Sequence, residues 1–152
     1  ASSLVGRSLG EKDRPKAFAY GRISQICSVF LATIMMTITI TFRKQLAYAF
    51  TTEKHLVDEA ARLLMYTCIV MLPQSIQWVT TGVLRGSGDT KYTARSAFIS
   101  IVFVRPSFSY LFVNILSFGI IGSWASMFID QTLRMSLNNH RFVSLKWMHI
   151  NV

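Results

Sequence analysis

Long apolar blocks without charge alternate with short polar ones along this chain. Residues 23–42, ISQICSVFLATIMMTITITF, run for twenty positions with no charged side chain. At 1.5 Å per residue that is about 30 Å, the thickness of a bilayer's hydrocarbon core. Residues 63–84 form a second uncharged block. Residues 97–116 form a third, interrupted only by Arg105, and residues 119–137 a fourth, carrying Asp130 and Arg134. Four such blocks leave almost no polar face for water. The pattern predicts an all-α membrane protein, a single membrane domain over 1–152 with four transmembrane helices and a tail over 138–152.

The segment between the first two blocks reads differently. TTEKHLVDEAARLL has a threonine at an N-cap position, Glu53 in the first turn and apolar residues at Leu56, Ala60, Leu63 and Leu64. That is an amphipathic start to the second helix, projecting from the bilayer. His55 falls on its exposed end, and His140 and His149 lie in the basic tail without metal-ligand company.

Composition narrows the class. Half the chain is hydrophobic (51%) and only 15% is charged, against about 25% in soluble domains. The net charge is nevertheless +9. A nucleic-acid binder would interleave its basic residues with aromatics; here the charges gather in short blocks, so a membrane is the expected partner and nucleic acid is not. Cys27 and Cys68 both sit in apolar blocks and read as buried free thiols. No disulfide framework, metal site or cofactor is expected. The chain opens Ala1-Ser2-Ser3 without an initiator methionine, and its first block is too long for a signal peptide. The expectation is an internal or C-terminal piece of a longer protein.

Basic residues set the orientation. Arg7, Lys12, Arg14 and Lys16 precede the first span, Arg85, Lys91 and Arg95 link the second and third, and Arg134, Arg141 and Lys146 end the chain. On the other side stand Arg43, Lys44, Lys54 and Arg62, while Ser117-Phe118 carries nothing. Ten against four favours both termini in the cytoplasm. The link VLRGSGDTKY looks like a nucleotide loop, but its glycines are two apart and Lys91 precedes Tyr92, unlike a P-loop. A dinucleotide loop would need a third glycine where Lys91 stands. It reads as a tight cytoplasmic turn made by Arg85, Gly86, Gly88 and Asp89. Gly86 or Gly88 supplies a positive φ, and Asp89 caps the next helix.

LRGSGDTKY resembles the R-G-x-G-D-T loop of multidrug and toxic-compound extrusion (MATE) transporters. LVGRSLGEKDRPKA is similar to the V-G-x-x-L-G-A segment before the third helix of each half of that family, with Glu11 in place of the usual alanine. VRPSFSYLF and GIIGSWASMFID resemble its last two helices, and RFVSLKW its C-terminal finish. These five motifs stand in order across nearly the whole chain. The resemblance implies twelve helices in two lobes, of which this chain is the C-terminal part of the second. It also implies the missing N-terminal lobe and first helices as partners, an organic and often cationic substrate, and H+ or Na+ as the coupling ion. The expected location is the plasma membrane.

Several residues are candidates for chemistry. Pro73 stands within the second span, with Gln74, Gln77 and Thr81 on one side and Thr67 earlier; a proline break that faces a cavity would make these substrate contacts. Met35, Met36, Met65 and Met71 can line an adaptable apolar cavity. An arginine near the bilayer centre costs about 2.5–3.5 kcal/mol on insertion scales, so Arg105 should face protein or water. Counted from Ser117-Phe118, Arg105 and Asp130 lie at nearly equal depth, which allows a buried pair. Asp130 can equally pair with Arg134 one turn on. The resemblance adds a structural or gating role for Arg105, and Asp130 and Arg134 are candidates for the same role as its neighbouring charges. One branch of the family carries an acid on the helix matching 63–84; this chain has Gln74 and Gln77 there, so proton or sodium drive stays open.

The leading expectation is therefore a fragment of a secondary-active multidrug exporter, an organic compound:cation antiporter working by alternating access. Alternatives are a flippase-type relative for lipid-linked polysaccharide, or a small self-assembling membrane protein using Gly82-x-x-x-Gly86 as a helix contact. No H-E-x-x-H, Ser–Lys pair or carboxylate dyad suggests an enzyme.

Overall fold

The computed structural model describes residues 1–50 and 53–149, and every regular element among them is helical. The helix α1 (Ser2–Gly10) ends in a turn where Lys12 takes φ 59°. The Asp13 carboxylate then accepts the Lys16 N–H at 3.1 Å, and Pro15 sits in the first turn of α2 (Arg14–Thr41). A side-chain cap and an N-terminal proline together fix the start of that helix. Glu11 ties the two helices: it accepts from Arg7 Nε at 2.9 Å and lies 3.6 Å from Lys16 Nζ. The hydrogen bond from Arg7 and the nearby Lys16 charge hold its carboxyl below the ordinary glutamate value.

The second half of α2 alternates Thr and Ile from Thr37 to Thr41, a strand-like period, yet it is helical. Helix is the form in which a lone lipid-facing segment satisfies its backbone. The hydroxyls of Thr33, Thr37 and Thr41 do the same, donating to the carbonyls of Val29, Thr33 and Thr37 at 2.8–2.9 Å.

A short helix, α3 (Arg43–Tyr48), leads towards α4 (Lys54–Gly86), which runs unbroken through Pro73. The threonine expected to cap α4 lies outside the described residues. Next come α5 (Thr90–Ile99), a π turn (Ser100–Val104), α6 (Arg105–Tyr110) and a second π turn (Leu111–Ile115). These four form one continuous rod, Thr90–Ile115. The last long helix is α7 (Gly119–Val143), followed by a 3-10 turn at Lys146–His149. Thus the expected tail at 138 begins as helix, and the chain leaves α7 only after Val143.

Four rods stand where four apolar blocks were expected, but two of them, Arg14–Thr41 and Thr90–Ile115, are long and apolar enough to cross a membrane. The expectation of four such spans is corrected. The physical reason lies in α4 and α7: Gln74, Gln77, Thr80 and Thr81 on one, and Asp130, Gln131 and Arg134 on the other, dilute their hydropathy. Several of these face inward. α4 is central and touches α1, α2, α3, α5 and α7.

The apolar core is at one end of the bundle. Val5 of α1, Ala17 of α2, Val83 and Leu84 of α4, Phe142 of α7 and Trp147 are all fully buried there. Phe142 stacks between Phe18 at 5.0 Å and Trp147 at 5.5 Å, and Trp147 Nε1 donates to the Phe142 carbonyl at 2.7 Å. Gly21 leaves room for the Phe142 ring, which a Cβ there would meet at 2.7 Å. A Cβ on Gly86 would run into the Ser2 backbone, so α1 docks on bare main chain at the end of α4. Gly82, one turn back, has nothing within 4 Å of where its Cβ would stand. Gly86 is thus consumed by an intrachain contact, which removes the Gly82-x-x-x-Gly86 face proposed for self-assembly.

The two glycines make opposite predictions. Gly86→Ala should cost about 1–3 kcal/mol through overpacking and expose the Arg7 peptide bond to trypsin. Gly82→Ala should be neutral, or stabilise by up to about 1 kcal/mol through helix propensity. Thermal unfolding of the full-length protein in detergent distinguishes them; equal effects would refute the α1 docking.

Candidate functional site: a polar seam between four helices

The hydrogen-bonding side chains of α2, α4, α5 and α7 converge between the helices. Gln25 Nε2 donates to Thr80 Oγ1 at 2.8 Å and to Asn139 Oδ1 at 3.2 Å. Asn138 Nδ2 donates to Thr81 Oγ1 at 3.0 Å, and Ser96 Oγ donates to Asn138 Oδ1 at 3.0 Å. Gln77 Nε2 reaches the same Thr81 hydroxyl at 3.2 Å. Gln25, Gln77, Thr80, Ser96 and Asn138 are all buried. The pattern follows from helical period: Gln77 and Thr81 are one turn apart on α4, and so share a face.

Farther along α7 is the buried charge. Asp130 is 0% exposed; it accepts from Arg134 Nη2 at 2.8 Å and from the Ser100 hydroxyl. Arg134 is 12% exposed at its side chain. Of the two pairings the sequence allowed, the structure forms Asp130–Arg134. Arg105 is exposed and makes no ion pair or hydrogen bond among the described residues, so the Arg105–Asp130 pair is not made. Beside the pair on α7, Gln131 Oε1, Thr132 Oγ1 and Arg134 Nε are buried without a partner among the described residues, as is Gln77 Oε1 on α4.

The cavity candidates divide. Gln77 and Thr81 belong to the seam, and Pro73 is buried in α4. Gln74 instead lines an open groove of about 230 Å³ with Ala32, Met71, Ser75 and Trp78. Met71 is thus the one expected cavity methionine beside Gln74; Met35 and Met65 are exposed. Of the two cysteines expected to be buried, Cys68 is and Cys27 is exposed.

The turn after α4 is confirmed as a turn, with two changes. Gly88, at φ 86°, supplies the left-handed residue; Gly86 is still helical. Asp89 stands at the N-cap of α5 but makes no side-chain cap bond. Its carboxylate accepts Arg141 Nε at 2.7 Å, and the Arg141 guanidinium lies 5.1 Å from the Tyr92 ring centre. Charge and ring prevail over the cap because an arginine bond to a carboxylate is stronger than a neutral N–H bond. Ser87 is fully buried, donating to the Leu84 carbonyl at 2.8 Å.

The family model MatE matches residues 1–111, from α1 through α6 and into the second π turn. The chain belongs to the MatE family. Multidrug and toxin extrusion protein 1 of Danio rerio is 27% identical over 128 residues, which are 84% of this chain and 22% of that protein. The uncharacterized transporter YisQ of Bacillus subtilis is 28% identical over 145 residues, 95% of this chain and 32% of its own. Multidrug resistance protein NorM of Aliivibrio fischeri is 28% identical over 99 residues, 65% of this chain and 22% of its own. This MatE chain therefore spans about a fifth to a third of the length of these relatives. All three are named as transport or resistance proteins, none as an enzyme.

Sequence reasoning missed much of the seam. Gln25 is hidden in the first apolar block, and Asn138 and Asn139 fall just beyond the fourth. Ser96, Ser100 and Thr80 look like ordinary span residues. The available signal was their phase: on each helix the polar residues recur at three- and four-residue spacing, marking one inward face.

The charge pair sets a double-mutant test. Asp130→Asn or Arg134→Gln alone strands a buried charge and should cost about 3–5 kcal/mol, while the double substitution recovers much of it. Arg105→Gln combined with Asp130→Asn should show no such recovery. Monodisperse yield of the full-length protein in detergent gives the cycle, and rescue of Asp130→Asn by Arg105→Gln would overturn the pairing.

Proposed function

We propose that this chain is the C-terminal part of the second lobe of a secondary-active multidrug exporter, which exchanges organic compounds for H+ or Na+ by alternating access. The match to the MatE family over residues 1–111 carries this reading. The polar seam supports it physically. Alternating access needs rigid helical bodies that move against one another. Interhelical hydrogen bonds between α2, α4, α5 and α7 would make this group of helices move as one. The substrate would contact the other lobe as well, with Gln74 and Pro73 as candidate contacts on this side. Asp130 and Arg134 serve as structural or gating charges within the lobe, and Arg105 faces outward to lipid, solvent or the remaining helices.

Both termini and the Arg85–Lys91 turn face the cytoplasm in this reading, supported by the distribution of basic residues, which is eleven to four once Arg22, directly before the first span, is counted with the ten. Arg14–Thr41 and Thr90–Ile115 are the helices long and apolar enough to cross the membrane, and α4 and α7 pack beside them with their polar faces turned inward. The alternatives differ in cargo or in assembly: a flippase-type relative would move a lipid-linked saccharide, and a self-assembling protein would need no second lobe.

Lys91 is exposed and Ser87 is not, so Lys91 is the topology reporter. Lys91→Cys, in a background lacking Cys27 and Cys68, should resist an impermeant maleimide added outside intact cells and react after permeabilisation. Labelling from outside would reverse the orientation.

Transport is tested in proteoliposomes. The full-length protein should drive saturable efflux of a cationic dye on an imposed proton or sodium gradient, and the 152-residue chain alone should give none. Flux from the chain alone would favour the self-assembling alternative.

A further inference from the structure

Two open grooves follow α2, the first on its flank towards Ile76 of α4 and Asn139 of α7, the second along α2 itself. The first, about 510 Å³, is lined by Arg22, Gln25, Ile26, Phe30, Ile76 and Asn139, among others. The second, about 240 Å³, continues it past Phe30 and Thr33 to Ile34 and Ile38. Because they share Phe30 and Thr33, they form one channel open along its side. From Arg22 to Ile38 it is about 24 Å long at helical rise. One leaflet, headgroup band included, is about 20 Å deep.

The channel is polar at one end only. Arg22 is exposed and forms no ion pair or hydrogen bond among the described residues. Asn139, whose Oδ1 accepts from Gln25, keeps its amide N–H donors unused beside it. None of the residues lining either groove is acidic. Beyond Gln25 the walls are aliphatic or aromatic, and the Thr33 and Thr37 hydroxyls already donate within their own helix. The arrangement offers donors and positive charge at the membrane surface, and an apolar trough running inward.

We propose that this channel seats one anionic phospholipid, its phosphate on Arg22 and Asn139 and one acyl chain along Ile26, Phe30 and Ile38. Charge complementarity selects this occupant. A cationic amphiphile, including a cationic export substrate, is repelled by Arg22. A zwitterionic lipid gains less there, because its own ammonium group neutralises the phosphate. A further helix of the same protein that filled the channel would have to leave Arg22 to water or bring a carboxylate to it. The proposal rests on the membrane placement above but not on transport, so the two are tested separately.

The experiment uses the full-length protein in vesicles containing a photoactivatable acyl-chain analogue of either phosphatidylglycerol or phosphatidylcholine. After irradiation, adducts are mapped by peptide mass spectrometry. The phosphatidylglycerol analogue should label α2 between Ile26 and Ile38. Arg22→Gln should lower that labelling about five-fold, the equivalent of one cation near a charged surface, while Lys91→Gln leaves it unchanged. Labelling by the phosphatidylcholine analogue should be weaker and insensitive to Arg22. Absence of adducts on α2, as expected if another helix fills the channel, overturns the proposal; so does labelling indifferent to headgroup or to Arg22. Because dye efflux is scored in a different assay, an inactive protein that still shows Arg22-dependent labelling refutes the exporter reading alone.

Discussion

Polar side chains carried by apolar rods must find one another, and this fold is arranged around that requirement. Ile23, Phe30, Trp78, Phe98 and Phe103 all face outward, so apolar burial does not drive the middle of the bundle together. In lipid, helices associate by close packing and hydrogen bonds rather than by the hydrophobic effect. Gln25, Thr80, Thr81, Ser96 and Asn138 provide both: their side chains are short or flat, and each bond crosses between helices. Each such bond contributes roughly 0.6 kcal/mol in membrane proteins, so the seam acts as a set. The stronger constraint is the penalty for leaving one partner alone, which ties the position of each helix to its neighbours.

The end of the bundle obeys different rules. There Phe18, Phe142 and Trp147 form a stack, Gly21 and Gly86 admit close neighbours, and Arg141 bridges α7 to Asp89 in the turn after α4. The R-G-x-G-D-T sequence is thereby explained without a ligand. Its second glycine takes the left-handed conformation, its first lets α1 approach, and its aspartate anchors the last helix. Such a joint links α1, α2, α4 and α7 at one level. In a transporter whose lobes rock, it would keep that end of the lobe from fraying as the other end moves.

Much of this was legible in the sequence, and the failures have physical causes. Apolar blocks with few or no charges marked the four rods because charged residues are costly inside either lipid or protein. Some ends were set too short: 14–22 of α2 and 138–143 of α7 continue their helices after the hydropathy has fallen, whereas the amphipathic start of α4 was anticipated. Hydropathy also misjudged α4 and α7, since it cannot tell a polar residue facing lipid from one facing a polar neighbour. The Arg105–Asp130 pairing failed through both level and phase. The count from Ser117-Phe118 took both helices as regular α-helix, but Arg105 comes directly after the π turn Ser100–Val104. A π turn inserts about one extra residue, which rotates the next stretch of helix by about 100° relative to an unbroken α-helix. Ser100, at the beginning of that turn, meets Asp130 instead. The aspartate cap failed because a distant arginine competed for the carboxylate, a tertiary effect that no local window contains.

The seam ties α7 to several helices at once, and that bears on how far it can move alone. Asn138 joins it to Thr81 of α4 and Ser96 of α5, and Asn139 joins it to Gln25 of α2, which also bonds Thr80 of α4. Farther along, Asp130 accepts from Ser100 at the start of the π turn. A buried polar atom left unpaired costs about 1–3 kcal/mol, so sliding or turning α7 against one neighbour breaks its bonds to the others as well. Hydrogen bonding alone therefore makes the four helices resist moving separately.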